Sequence, residues 1–103
     1  MTTPTFNPVM HPPTRLQIAT VLANVDTVEF AKLRDITGVS DSVLSKHLSA
    51  LVEAGYISLK KSPFEGRQRT WAAFTRPGRQ AFASHIRALQ ALVQQAEQAA
   101  AAQ

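Results

Sequence analysis

The chain has 103 residues, 45% of them hydrophobic, and eleven lysines and arginines against seven aspartates and glutamates give it a formal charge of +4 at pH 7. That length holds one domain with a modest core, and the composition excludes wholesale disorder. Cysteine is absent, which excludes disulfides, thiolate metal sites and cysteine nucleophiles, and no apolar run is long enough for a secretory core or a membrane span, so the expected location is the cytoplasm with no membrane contact.

The charge is unevenly placed. Between Ser40 and Arg79 stand seven cations (Lys46, Lys60, Lys61, Arg67, Arg69, Arg76 and Arg79) against three acids (Asp41, Glu53 and Glu65), while the rest of the chain is neutral. The whole excess therefore lies in one span, which suits an anionic partner without naming one.

In chain order, residues 1–10 are rich in Thr, Pro and Asn and read as a flexible N-terminal arm, with Phe6, Val9 and Met10 available to pack on a partner subunit. The domain proper is expected over 11–103. Pro12 and Pro13 rigidify the approach to a first helix over 14–24, whose inward stripe is Ile18, Leu22 and Val25 with Val21 at its edge. Residues 26–29 connect it to a second helix over 30–37, with room for a small strand through Val28. In that helix Phe30, Leu33 and Ile36 face one way and Gly38 stops it. At barely two turns it persists only by packing on its neighbours. Asp26, Glu29 and Asp35 read as a solvated face or a helix-start acid.

The third helix occupies 40–53, bracketed by Gly38 and Gly55. Ser40 is placed to cap it, and Leu44, Leu48 and Leu51 recur at helical spacing. Its outward residues are Asp41, Ser42, Ser45, Lys46 and Ser49. Short hydroxyls and one lysine can enter a major groove without collision and reach bases or phosphates, although an ordinary amphipathic helix has a similar solvated face. The turn at 37–39 makes the pair a helix-turn-helix with the third helix in the reading position, an arrangement also common in proteins that never meet DNA.

After Gly55 the period changes. Residues 56–61 read as a strand and TWAAF at 70–74 as its antiparallel return, with SPFEGRQR as the hairpin loop between them. Lys60, Lys61, Arg67 and Arg69 crowd the rims of that loop, which is either a solvated turn or a wing laid on a phosphate backbone. Thr75 can cap a last helix over 77–100, where Phe82, Ile86, Leu89, Val93 and Ala96 form a heptad-like seam. The seam outlasts a small core, which favours a dimerisation helix over one folded back on its own domain.

The histidines suggest no metal. His47, beside Leu48, reads as packed or phosphate-adjacent. His11 and His85 could meet across a dimer as a metal or pH-sensing pair, but two imidazoles are few ligands and structural roles are favoured. No Gly-rich phosphate loop and no HExxH occurs, and Ser45, His47 and Glu53 on one helix cannot build a nucleophile relay, so neither a catalytic site nor a cofactor is expected.

The runs HPPTRLQI (11–18), LSKHLSALVEAGYI (44–57), Lys60, GRQRT (66–70) and TRPGRQAF (75–82) together resemble the winged-helix transcriptional regulators of the MarR and ArsR superfamily, over about residues 11–93. Within it the sequence is most similar to the small single-domain group in which His and Pro precede the first helix and a basic hairpin precedes an "LT..GR.AF" turn. Phe74 stands here for the leucine of that turn, a core-for-core exchange. The superfamily's cysteine-based metal and redox sensors have no counterpart, so thiol sensing is ruled out. The resemblance implies a homodimeric regulator on a roughly palindromic duplex, with Ser42, Val43, Ser45 and Lys46 at the reading surface and Arg67, Arg69 and Thr70 at the wing.

The expected fold is therefore mainly α with a small β-hairpin: a winged helix-turn-helix with a long C-terminal dimerisation helix. Ser42, Val43, Ser45, Lys46 and Ser49 are expected on the reading helix, Lys60, Lys61, Arg67, Arg69 and Thr70 on the wing, and Phe82, Ile86, Leu89 and Val93 at the dimer seam. The expected function is sequence-specific binding of double-stranded DNA by a repressor that occludes a promoter. The alternative is a protein-docking module whose basic wing meets an acidic surface. A small-molecule effector, if one acts, would enter an apolar cavity between the first and last helices.

Overall fold

The structure, a computed structural model, describes residues 5–102. Its elements follow the order α1 (Pro13–Ala23), β1 (Val28–Glu29), α2 (Phe30–Thr37), α3 (Asp41–Glu53), β2 (Ile57–Phe64), β3 (Arg67–Phe74) and α4 (Arg76–Ala101). The strands form one antiparallel sheet in the order β1-β3-β2, and the helices before the hairpin pack with it around Ile18, Leu22, Leu33, Leu44, Leu48 and Leu51. This is a winged helix-turn-helix with a long last helix.

Four helix ends have a clear local cause. Pro13 occupies the first turn of α1, where a missing N–H leaves nothing unpaired. The Ser40 hydroxyl caps α3 by accepting from the Val43 amide at 3.3 Å, and the Thr75 hydroxyl caps α4 by accepting from the Gly78 amide at 3.1 Å. Gly38 closes α2 in the left-handed region, φ 71°, where a side chain would be strained.

Two expected core residues are outside. Val25 is exposed, because α1 ends at Ala23 and the Asn24 amide bonds back to the Val21 carbonyl, so Val25 has left the helical period. Ile36 is exposed as well. The inward stripe of α2 runs Phe30, Leu33, Thr37, spacing i, i+3, i+7, and Ile36 falls at its edge.

The hairpin is longer and tighter than its sequence suggests. The ladder runs unbroken from Ile57 opposite Phe74 to Phe64 opposite Arg67, so the expected eight-residue loop shrinks to Glu65 and Gly66. Both have positive φ, 50° and 76°, the condition for a two-residue turn whose twist matches the strands. Pro63 is accommodated because β2 is an edge strand. The small strand through Val28 exists as β1, with Val28 opposite Ala72 and Glu29 opposite Trp71.

The described part of the expected arm docks on its own chain and does not project to a partner; residues 1–4 lie outside the described residues. Met10 is fully buried in the core, Val9 packs against it, and the Phe6 ring stacks on His11. Val9 and Met10 are apolar residues in a segment otherwise rich in prolines and polar residues, so composition alone misjudges it. His85 is also buried in its own chain, with its Nε2 3.2 Å from His11 Nδ1, so these two meet within one subunit and not across two.

The first turn of α4 lies against the start of the hairpin. A β-carbon built on Gly78 would stand 1.9 Å from the Tyr56 carbonyl oxygen, which itself accepts from the Thr75 amide at 3.0 Å. Only glycine permits this approach. From there α4 runs outward, and the molecule extends 59 × 26 × 21 Å. An apolar hollow runs along α4 alone, past Ile86, Leu89 and Val93, where a cavity between α1 and α4 was expected.

Candidate nucleic-acid interface

Helix α3 buries Leu44, Leu48 and Leu51 and leaves Ser42, Val43, Ser45, Lys46 and Ser49 exposed. The reading-face residues expected from sequence therefore share one outward surface. Asp41 leaves that surface partly neutralised, since Arg34 of α2 holds its carboxylate at 3.0 Å and ties the two helices at their turn. The Asp41 hydrogen bond and charge raise the Arg34 guanidinium above its ordinary pKa. Lys46 enters no ion pair among the described residues.

His47 sits at the flank of α3, half-buried, where Arg15 Nε donates to its Nδ1 at 3.1 Å. It is packed, as one of its two expected roles requires. An arginine N–H only donates, so His47 Nδ1 carries no proton; burial, and after it the Arg15 charge, push the pKa of the ring down.

Alternation along the strands sorts the wing onto two faces. The register sets Lys60, Phe64, Arg67, Arg69 and Trp71 on the face of Glu29, and Lys61 and Thr70 with Leu59 and the buried Ala72 on the face toward the helices. Phe64 meets Trp71 edge-on at 6.0 Å, and the Arg69 guanidinium lies 5.3 Å over the Phe64 ring.

Arg69 is also committed to acids. Its Nη1 stands 3.0 Å from both oxygens of Glu29, and its Nη2 is 3.8 Å from Glu65. Glu29, expected as a solvated or helix-start acid, is half-buried and is this arginine's partner. Sequence reasoning missed the pair because its members are 40 positions apart, and it missed the Arg15–His47 contact for the same reason. Lys60, Lys61 and Arg67 are exposed and unpaired among the described residues, so the free positive charge of the wing lies on them.

Along α4 the expected seam divides. Phe82 packs on its own core, its ring 6.0 Å from that of Phe74. Ile86 and Leu89 are half-buried, while Val93 is 52% exposed, and so is Leu92 at 45%, which the heptad reading passed over. No helix among the described residues is long and apolar enough to cross a membrane.

Residues 14–93 match the family model of the winged helix DNA-binding domain. An uncharacterised protein of Methanocaldococcus jannaschii is 35% identical over 81 residues, 79% of this chain and 84% of that one. A transcriptional regulator homologue from Pyrococcus horikoshii superposes with a TM-score of 0.78 at 21% identity, covering 84% of this chain and 85% of its own. A MarR-family structure from Enterococcus faecalis gives 0.71 at 18% identity, covering 92% and 84%.

Proposed function

Because the chain belongs to the winged-helix DNA-binding domain family, we propose that it is a homodimeric transcriptional regulator that reads a near-palindromic duplex and represses by occluding a promoter. The observation that carries this is the α3 surface: Ser42, Ser45, Lys46 and Ser49 exposed together on a helix braced from behind by three buried leucines. In this reading the serines and Val43 meet base edges, and Lys46 meets a base or phosphate. On the wing, Lys60, Lys61 and Arg67 neutralise phosphates and Thr70 supports the strand, while Arg69 acts as the clamp that holds the wing to β1.

The exposed Leu92 and Val93, with Ile86 and Leu89 beside them, support pairing through α4. Two copies joined there would present two reading helices to one duplex, at a separation of about 34 Å if they occupy successive major grooves. The transcriptional-regulator structures with the same fold support the regulatory role.

Selection of bound duplexes from a random library tests the proposal. Wild type is expected to yield one palindromic motif, and Ser42→Ala with Ser45→Ala to fold normally and blur it. Both hydroxyls are on the surface, where such changes cost under about 0.5 kcal/mol of stability. Enrichment of no motif by wild type, together with affinity that barely responds to salt, would favour a protein-docking role instead.

A further inference from the structure

The N-terminal segment is fastened by hydrogen bonds that tolerate one protonation state. The Asn7 amide donates to His85 Nδ1 at 2.9 Å, and His85 Nε2 lies 3.2 Å from His11 Nδ1. An amide can only donate, so His85 Nδ1 carries no proton and Nε2 does; His11 Nδ1 is then the acceptor. Both imidazoles are neutral in this arrangement. A further proton has to enter at His85 Nδ1, against the Asn7 N–H, or at His11 Nδ1, against the His85 Nε2–H. Either way a donor faces a donor beside His85, which is 1% exposed.

The same segment reaches the reading helix. The Asn7 side chain accepts from the Val9 and Met10 amides at 2.9 and 3.2 Å and donates to the Tyr56 hydroxyl at 2.8 Å. The Val9 carbonyl, set by that turn, accepts from Arg15 Nη1 at 3.2 Å, and Arg15 Nε holds His47 of α3. Phe6 closes the cluster, stacked on His11 at 5.2 Å and edge-on to His85 at 5.7 Å.

We propose that residues 5–9 are a proton-released strap whose far end, Met10, stays in the core: a neutral His11–His85 pair holds them on α4, and proton uptake frees them and loosens Arg15 and, through it, His47 on the reading helix. Release itself is independent of what α3 binds; the consequence for DNA rests on the reading of α3 given above.

The charged surroundings favour release. The Tyr56 phenol faces Asn7 from the start of the hairpin, Arg15 of α1 and His47 of α3 lie one hydrogen bond further on, and Arg87, the next charged residue along α4, is exposed. No carboxylate meets either imidazole among the described residues, so an added proton finds no counter-charge. Burial, and after it the neighbouring His11, hold the His85 pKa below its ordinary value. A lowered folded-state pKa means that the unfastened chain binds the proton more tightly. The fastening is therefore fully present above the ordinary histidine pKa of about 6.5 and is lost as pH falls through the lowered value.

Nuclear magnetic resonance on the full free chain tests this. At about pH 7.5 the His85 ring should show the Nε2–H tautomer. Between there and about pH 5 the Asn7, Val9 and Met10 amides should lose at least about tenfold in protection factor, along the same titration curve as His85. His85→Leu should abolish that pH response. His11→Ala, at an exposed position that tolerates substitution, should move release to higher pH, because the strap loses a hydrogen bond that holds it to His85 and His85 loses a neighbour that opposes its charge. His85 titrating with the three amides still protected, or an unmoved midpoint in His11→Ala, overturns the strap. Fluorescence anisotropy on a duplex supplies the second arm: affinity should fall with release in wild type and respond less to pH in His85→Leu. Release without a change in affinity overturns the link to α3. Failure to bind any duplex at neutral pH removes the DNA reading alone, since release is scored without DNA.

Discussion

Arg69 and Glu29, 40 positions apart in the chain, meet through one guanidinium nitrogen that stands 3.0 Å from both carboxylate oxygens. The contact crosses from β3 to β1 and so ties the wing to the start of α2. It also withdraws one cation from the wing's exposed charge. Both side chains are only about a quarter exposed, 25% and 22%, so the pair is screened less than a surface ion pair. Arg69→Ala is expected to cost about 1 to 2 kcal/mol in urea unfolding, with Glu29 left partly desolvated. Glu29→Gln should cost less, since an amide oxygen still accepts. Loss of stability no greater than at an exposed position would show the pair to be incidental.

Lys46 and Arg67 should behave differently from Arg69. Each is exposed and unpaired among the described residues, so Lys46→Ala and Arg67→Ala are expected to leave stability within about 0.5 kcal/mol of wild type. Both should weaken duplex binding. Arg67→Ala should lower the slope of log affinity against log salt by about one and act alike on selected and scrambled duplexes, as a phosphate contact does. Titrations over a range of salt measure both quantities, and an unchanged affinity removes the residue from the interface.

Gly78, the glycine of the TRPGRQAF run, is a stability site. A methyl group there would collide with the Tyr56 carbonyl, which is already engaged by the Thr75 amide and, being backbone, cannot swing aside. Gly78→Ala is expected to destabilise by about 3 kcal/mol or more, by parting α4 from the hairpin, although alanine is the better helix former. Thermal unfolding followed by circular dichroism checks this; a rise in Tm would mean that the α4 start is free to shift.

These sites separate what local pattern can convey from what it cannot. Ser40, Gly38 and the spacing of Leu44, Leu48 and Leu51 act within a turn or two of themselves, and α3 forms as they dictate. Glu65–Gly66 is a tight turn with a weaker signature than Asn-Gly or Asp-Gly, so Pro63 and the charges around it look like loop. Arg69 with Glu29, Arg15 with His47 and His11 with His85 are pairings across 32 to 74 positions, and nothing periodic marks them. Met10 is read as arm because its neighbours are prolines and polar residues, yet the core closes over it. The outward residues of α3 were legible because burial of one face determines the other.

Pairing through α4 is the step on which the operator model depends. The helix has 26 residues, and in its second half Leu92 and Val93 are 45% and 52% exposed while Phe82, near its start, is committed to the chain's own core. Because Leu92 and Val93 are solvated in the single chain, changing both to Glu should leave the fold intact, which circular dichroism would verify. In a symmetric pair the same changes would set buried like charges against one another. Burying the half of each side chain that is still exposed contributes roughly 0.7 to 1.5 kcal/mol, and two from each subunit together weigh several kcal/mol in the choice between dimer and monomer at micromolar protein. Wild type is expected to sediment as a dimer and the double variant as a folded monomer. That monomer should keep weak, salt-sensitive binding to a half-site and lose the affinity for the full site that two tethered reading helices supply. If the variant remains a dimer, the subunits meet elsewhere, and if wild type is a monomer, the palindromic operator goes with the dimer.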